Sequence, residues 1–291
     1  MKSPLPALAL LCNAAIWGMA WWPFRQMQQA GLHPLWATAL MYGAIFWALL
    51  ALRPGIASQW RAYPVLGLLA LCSGLNNVAF NWAITIGDVV RVVLLFYLMP
   101  AWAVLLAWRL LGERPTPAAL ARLLLAACGV LLVLWPAEGG LQHLSAAMGL
   151  ADWLALLGGF LFALVNVMLR RMHAVPEQAR MAAMFGGCMV MAPLVALAGQ
   201  SAGLVPGLPA FDARWALVAA VLALLLALGN WALQYGAARL KAGTTALVLL
   251  SEVVFASASS IALGAAQPRA ATLAGGALII GAALLATLGR R

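Results

Sequence analysis

Gly243-Thr244-Thr245-Ala246-Leu247-Val248-Leu249-Leu250-Ser251-Glu252-Val253-Val254-Phe255-Ala256-Ser257-Ala258-Ser259-Ser260-Ile261-Ala262-Leu263-Gly264 is the stretch that decides what kind of protein this is. A helix needs about 20 apolar residues to cross a bilayer, and this run is long enough. Its middle holds one acid, Glu252, with no other charge for roughly ten residues on either side. A charge near mid-membrane costs roughly 2.5–3.5 kcal/mol or more, so Glu252 is expected to face protein or a water-filled cavity. The rest of the chain then reads as nine further spans arranged around that need.

Composition agrees. Of 291 residues, 66% are hydrophobic and 8% are charged, whereas a soluble domain carries about 25% charged residues. The apolar residues fall into about ten blocks of transmembrane length. They lack the two-residue alternation of an outer-membrane barrel strand. The expected fold class is an all-α membrane protein of ten transmembrane helices. A formal net charge of +10 on a soluble protein would point to nucleic acid. Here no large extramembrane surface is left to carry such a footprint, so the charge reads as a topology signal. Cys12, Cys72, Cys128 and Cys188 all lie inside apolar runs and read as small core hydrophobes in no metal-type spacing. Lys2 followed by the apolar run from Leu5 to Phe24 resembles a signal peptide, but the run is longer than a usual one and reads as the first span.

The expected spans are 5–25, 34–52, 63–86, 90–109, 117–135, 149–169, 178–199, 213–236, 243–264 and 269–288. Short connections hold the turn-formers, as in Arg53-Pro54-Gly55 and Val205-Pro206-Gly207-Leu208-Pro209. With the N-terminus inside, the segments on that side hold thirteen of the 17 Lys and Arg residues; Arg25, Arg91, Arg214 and Arg269 fall outside. That split places both termini in the cytoplasm of a plasma (bacterial inner) membrane.

The chain also repeats itself. Trp17-Gly18 with Arg25 lines up with Phe162-Ala163 and Arg170. Asn81-Trp82-Ala83-Ile84 lines up with Asn230-Trp231-Ala232-Leu233, and Leu111-Gly112 before Pro115 with Leu263-Gly264 before Pro268. The offsets run from about 145 to 152 residues and keep one order. The expected division is a first repeat over 1–138 and a second over 139–291. An odd number of spans per repeat means that the second copy enters the membrane the other way up, a common transporter plan.

Trp17-Gly18, Leu111-Gly112-Glu113-Arg114 and Gly129-Val130-Leu131-Leu132 resemble the EamA-type repeat of the drug/metabolite transporter superfamily. The likeness covers the chain as two repeats. Within that superfamily the length and the Trp-rich early helices are similar to YddG-type exporters of aromatic amino acids. The resemblance implies ten helices, cytoplasmic termini and alternating access around a central cavity. Helices one, three, four, six, eight and nine would line that cavity. The chain departs from the family pattern in two places: Gly264-Ala265 stands where Gly-Glu is usual after the ninth helix, and Met99-Pro100 stands where Glu-Pro is usual in the fourth. Glu252 falls opposite Pro100 in the repeat.

Candidate substrate-binding residues follow from depth and chemistry. Asn77 and Asn81 share one helix face, with Ser73 a turn earlier, and Asn230 and Gln234 repeat that spacing. Asn13 and Asn166 are lone amides in the first and sixth spans. Amides can line a site for a zwitterion without adding charge; they serve equally as helix-to-helix glue, worth about 0.6 kcal/mol each on average. Trp17, Trp21, Tyr97, Trp102 and Trp231 lie at similar depths, where aromatic walls suit a flat or apolar solute and ordinary packing is the alternative. Trp36, Trp60, Trp135, Trp153 and Trp215 lie near span ends, as interfacial belts do. Glu252 can titrate and couple export to protons, can stay ionised and hold a substrate ammonium, or can be a protonated acid tied to a nearby carbonyl. Pro100 favours a kink in the fourth span.

The function expected from these residues and from the resemblance is export of amino acids, aromatic or bulky apolar, or of related small metabolites. A passive facilitator, or the same fold carrying a drug or a polyamine, are the alternatives. No catalytic constellation, metal-ligand set or nucleotide-binding loop stands out, so no enzyme activity and no cofactor are expected. The expected partners are a small-molecule substrate and membrane lipid, without nucleic acid, in a monomer or weak dimer.

Overall fold

Prolines start some of the helices and interrupt two of the spans, although Pro193 lies within one unbroken helix. In a computed structural model, residues 4–53, 55–56, 60, 62–112, 114–134, 148–172, 174–237, 239, 248–249, 251–266 and 269–288 are described. Twelve helices are described among them: α1 Leu5–Met19, α2 Trp21–Gln29, α3 Pro34–Leu52, α4 Val65–Ile86, α5 Val89–Phe96, α6 Met99–Leu111, α7 Pro117–Leu134, α8 Leu150–Arg171, α9 Glu177–Ser201, α10 Ala213–Ala237, α11 Ser251–Ala262 and α12 Ala270–Leu288. The described residues contain no strand.

Two pairs of these helices are halves of one span. Pro23 has no N–H for the Met19 carbonyl, and the chain tightens at Ala20, whose N–H bonds the Trp17 carbonyl three residues back. The expected single helix over 5–25 is therefore α1 and α2, running to Gln29. Pro100 likewise removes the donor for the Phe96 carbonyl, and α5 gives way to α6 across Tyr97 and Leu98. This is the interruption expected in the fourth span.

Elsewhere the starts are capped. His33 Nδ1 accepts from the Leu35 N–H at 3.3 Å, ahead of Pro34 at the first position of α3. Asp88 accepts from the Arg91 N–H at 2.9 Å at the head of α5. Thr116 accepts from the Ala119 N–H at 3.2 Å beside Pro117. At the end of α6, Gly112 takes φ 72°, a left-handed cap that glycine adopts without strain.

Seven segments are long and apolar enough to cross a membrane: Leu5–Gln29, Pro34–Leu52, Val65–Ile86, Val89–Leu110, Leu150–Leu169, Glu177–Ser201 and Ala213–Leu233. Pro117–Val133, Ser251–Ala262 and Ala270–Ala282 are shorter apolar helices. Residues 243–247, the start of the expected Glu252 span, lie outside the described residues, as do the boundary at 138/139, Lys2, Glu113, Trp135, His143 and His173.

The halves interleave. α1 packs on α10 and α11, α3 on α9 and α10, α4 on α8 and α9, α5 on α8 and α11, α6 on α8, and α7 on α12. Glycines permit the closest approaches. A Cβ at Gly187 would run into the Ala70 carbonyl, so α9 lies directly on the α4 backbone. Gly129 of α7 and Gly275 of α12 face each other in the same way. Such small-residue contacts suit helix packing where lipid supplies no hydrophobic drive between helices. Cys72 and Cys188 are buried, but Cys12 and Cys128 are exposed. The reading of all four cysteines as interior residues is corrected for those two, because an apolar side chain in a span needs no protein around it.

Candidate functional site

Glu252 lies where the two proline-broken spans meet α11. From the first, Gly18 is pressed on its backbone: a Cβ there would sit 2.7 Å from the Glu252 carbonyl oxygen. One helical stretch on, Trp21 Nε1 donates to Ser259 Oγ at 2.9 Å. From the second, Tyr97 Oη lies 3.1 Å from Glu252 Oε2 and 3.3 Å from the Leu249 carbonyl oxygen. The break at Tyr97 and Leu98 is what turns this tyrosine toward α11. Tyr97 is buried, and the Glu252 residue is partly buried. The partner of this acid, in the first turn of α11, is thus a phenol.

The freed Phe96 carbonyl has its own neighbour. A Cβ at Gly159 of α8 would fall 2.5 Å from it, so α8 approaches the second break as α1 approaches α11. Around this point Phe80, Phe96 and Phe162 form an aromatic cluster, with ring centroids 4.5 and 5.5 Å apart. Trp102 stands edge-on to Phe160 at 5.7 Å, and its indole N–H has no hydrogen-bond partner among the described residues.

The expected amide sites separate into different places. Asn77 accepts from Tyr42 Oη at 2.7 Å and donates to the Ser73 carbonyl. Asn81, fully buried, donates to Thr38 Oγ1 at 3.0 Å. The two amides therefore form rungs from α4 to α3, although Asn77 stays partly exposed. Asn13 is buried with its Oδ1 over Gly229 of α10, and that oxygen has no hydrogen-bond partner among the described residues. Asn230 is half-buried, and Asn166 is exposed with its amide on the Phe162 carbonyl. Trp17 packs partly buried against the main core. Trp231 is 65% exposed beside Tyr235. The Gln234 side chain lies outside the described residues.

Three partners are not among the residues expected from sequence. Thr38 and Tyr42 face the amides of α4; their own i, i+4 spacing on an apolar helix is the available signal. Asp152 pairs with Arg91, Nε to Oδ1 at 2.7 Å and Nη2 to Oδ2 at 3.0 Å, and Arg91 also donates to the Val133 carbonyl. The signal there is a lone acid three residues into a span, where a carboxylate caps a helix start; Asp152 Oδ2 does accept from the Gly149 N–H.

Comparison with known proteins adds family and fold. Residues 4–135 match the EamA-like transporter family. No curated protein matches the chain. A solved structure described only as a crystal structure of a protein superposes over 100% of this chain and 98% of its own, with a TM-score of 0.61 at 22% identity, a likeness of fold alone. The match over residues 4–135 and the apolar helices together indicate a multi-pass membrane protein.

Proposed function

We propose that the chain is a ten-span secondary transporter of two inverted five-span repeats. Its work is to export amino acids, aromatic or bulky apolar, or related small metabolites by alternating access, from a plasma membrane with both termini in the cytoplasm. The narrower likeness to aromatic amino-acid exporters rests on chain length and the Trp-rich early helices, and the aromatic cluster beside the second helix break suits such a solute.

Packing supports the repeat. With the spans numbered one to ten, the contact of one with eight has its counterpart in six with three, and that of one with nine in six with four. Three with seven answers to eight with two, while two with seven, four with nine and five with ten are their own counterparts. A two-fold exchange of the halves maps each of these contacts onto its counterpart or onto itself. Gly18 against Glu252 and Gly159 against Phe96 are related in the same way, one helical turn apart in register.

The observation that carries the functional reading is Tyr97 meeting Glu252 between two interrupted spans. Interrupted helices expose backbone groups where a transporter holds its cargo, and an ionisable residue inside a membrane-spanning bundle is a mark of a transport path. A thermal-shift screen of purified protein against amino acids and common metabolites tests the substrate class. Counterflow in proteoliposomes with the best hit then tests the mechanism. Stabilisation by aromatic amino acids with trans-stimulated, saturable exchange is expected. Binding without trans-stimulation would make the protein a facilitator, and no response to any amino acid would remove the substrate class.

A further inference from the structure

Tyr97 has one phenolic proton and two acceptors within reach, Oε2 of Glu252 at 3.1 Å and the Leu249 carbonyl oxygen at 3.3 Å. A hydroxyl is a single donor, so it serves one of them at a time. A carboxylate can only accept, and a charge-assisted bond is the stronger. With Glu252 ionised, Tyr97 therefore donates to it. With Glu252 protonated, the acid becomes a donor itself: it can give its proton to Tyr97 Oη, and the phenol turns to the Leu249 carbonyl. In both arrangements the phenolic proton has an acceptor within reach, and in the second the acid proton does too. They differ by one charge and by the direction of one bond.

Nothing else among the described contacts competes for that charge. The elements packed on α11 are α1 and α5. On α1 the titratable side chain is Cys12, which is exposed. On α5 it is Arg91, held by Asp152 and the Val133 carbonyl, with Asp88 capping the helix start. Arg25 of the neighbouring α2 donates to the Gly87 carbonyl and lies over Trp21. Tyr97 is the titratable group in contact with Glu252. The switch also has leverage. Gly18 fixes the α11 backbone against α1, so a change at the Tyr97 end falls on the α5–α11 contact, which joins the two halves.

We propose that Glu252 is a proton-binding site that couples transport to a proton gradient, with Tyr97 as the positioning residue that reads its charge. The coupling rests on the transporter reading above; the proton site does not. In each cycle one proton from water on one side binds a carboxylate oxygen of Glu252, and the same proton leaves to the other side. The Tyr97 O–H bond never breaks; it rotates from one acceptor to the other.

Infrared difference spectroscopy of the purified protein in lipid, stepped from acid to alkaline pH, tests the site without any substrate. The carbonyl stretch of a protonated carboxylic acid should fade as pH rises and be lost in Glu252→Gln. In Tyr97→Phe it should persist to higher pH by roughly one unit, since the bond that favours the carboxylate is gone. The Tyr97→Phe measurement decides the matter even if Glu252→Gln fails to fold. An unchanged band in Glu252→Gln, or an unmoved midpoint in Tyr97→Phe, would overturn the proposal. Coupling is read in proteoliposomes holding a pH-sensitive dye and an L-phenylalanine gradient. Proton flux with phenylalanine flux, lost in Glu252→Gln, is expected. Phenylalanine flux with no proton signal overturns the coupling and leaves the transporter standing. A titrating band with no phenylalanine flux supports the proton site and removes that substrate.

Discussion

Arg91 grips Asp152 with two parallel bonds of 2.7 and 3.0 Å, tying α5 in the first half of the chain to α8 in the second. Neither side chain is freely solvated, with exposures of 19% and 8%. Removing one member of a buried pair leaves the other charge uncompensated, at a cost of about 3–5 kcal/mol when burial is complete. Asp152→Asn is expected to lower the thermal midpoint of the purified protein toward the small end of that range, because Arg91 keeps some exposure. Arg91→Asp with Asp152→Arg should not restore it, since an arginine at 152 cannot accept from the Gly149 N–H. A midpoint for Asp152→Asn equal to that of the wild type would show the pair to be idle.

Asn77 and Asn81 lie one turn apart on α4 and bond to Tyr42 and Thr38 one turn apart on α3, yet their surroundings differ. Asn81 is fully buried, while Asn77 keeps part of its surface open. Interhelical polar contacts in membranes are worth about 0.6 kcal/mol on average. Asn81→Ala should therefore cost a modest amount of stability and leave transport close to wild type, with Thr38 still bonded to the Pro34 carbonyl. Asn77→Ala should lower L-phenylalanine counterflow several-fold at unchanged membrane abundance. Equal transport loss in both variants would remove the distinction, and unchanged transport in Asn77→Ala would remove the amide-lining idea.

Several helix positions are legible in the sequence because hydropathy registers length and composition, and the starts come within a few residues at Pro34, Pro117 and Ala213. The break at Ala20 is not legible. It depends on which carbonyl Pro23 deprives of a donor, inside a run whose apolar character does not change. Glu252 and Tyr97 each stand out as candidates, but their meeting requires knowing that α11 lies against the break between α5 and α6. Trp231 shows the remaining gap. In a span both faces are apolar, so sequence cannot separate a tryptophan that packs inward, such as Trp21 at 3% exposure, from one that is exposed. Thr38 and Tyr42 are hidden for a simpler reason: hydroxyls are common in membrane helices, and their i, i+4 spacing alone does not say which helix they face.

His33 gives the protein an acid-sensitive point outside the spans. It caps α3 with Nδ1 and stands edge-on to Trp82 at 5.4 Å, in the wall of an open cavity of about 490 Å³ that also involves Gln28, Ile86 and Leu204. Burial lowers its pKa from 6.5 to about 4. Protonation would place a charge in that wall and remove the acceptor of the cap. The unfolded chain binds this proton first, so the stability present above about pH 6.5 is lost progressively as pH falls toward 4. His33→Asn keeps a capping acceptor and removes the titration. Thermal midpoints measured across that window should fall in the wild type and fall less in His33→Asn; parallel curves would show that His33 does not titrate there.

Gly187 tests the packing on which the interleaved halves depend. Any Cβ there would overlap the Ala70 carbonyl, so α9 and α4 would have to separate. A methyl group forced into a closed contact costs typically 1–3 kcal/mol where neighbouring side chains can yield. Here the obstacle is backbone, and Gly187→Ala is expected to exceed that range. Gly67, on the same α4, has open space where a methyl group would lie, with nothing within 4 Å, and Ala favours a helix interior over Gly by roughly 0.5–1 kcal/mol. Gly67→Ala should therefore match or exceed the wild-type thermal midpoint, while Gly187→Ala loses its monodisperse size-exclusion peak or melts well below it. If the two substitutions behaved alike, α4 and α9 would not approach at Ala70 and Gly187, and the contact that ties the third span to the seventh would have to be placed elsewhere.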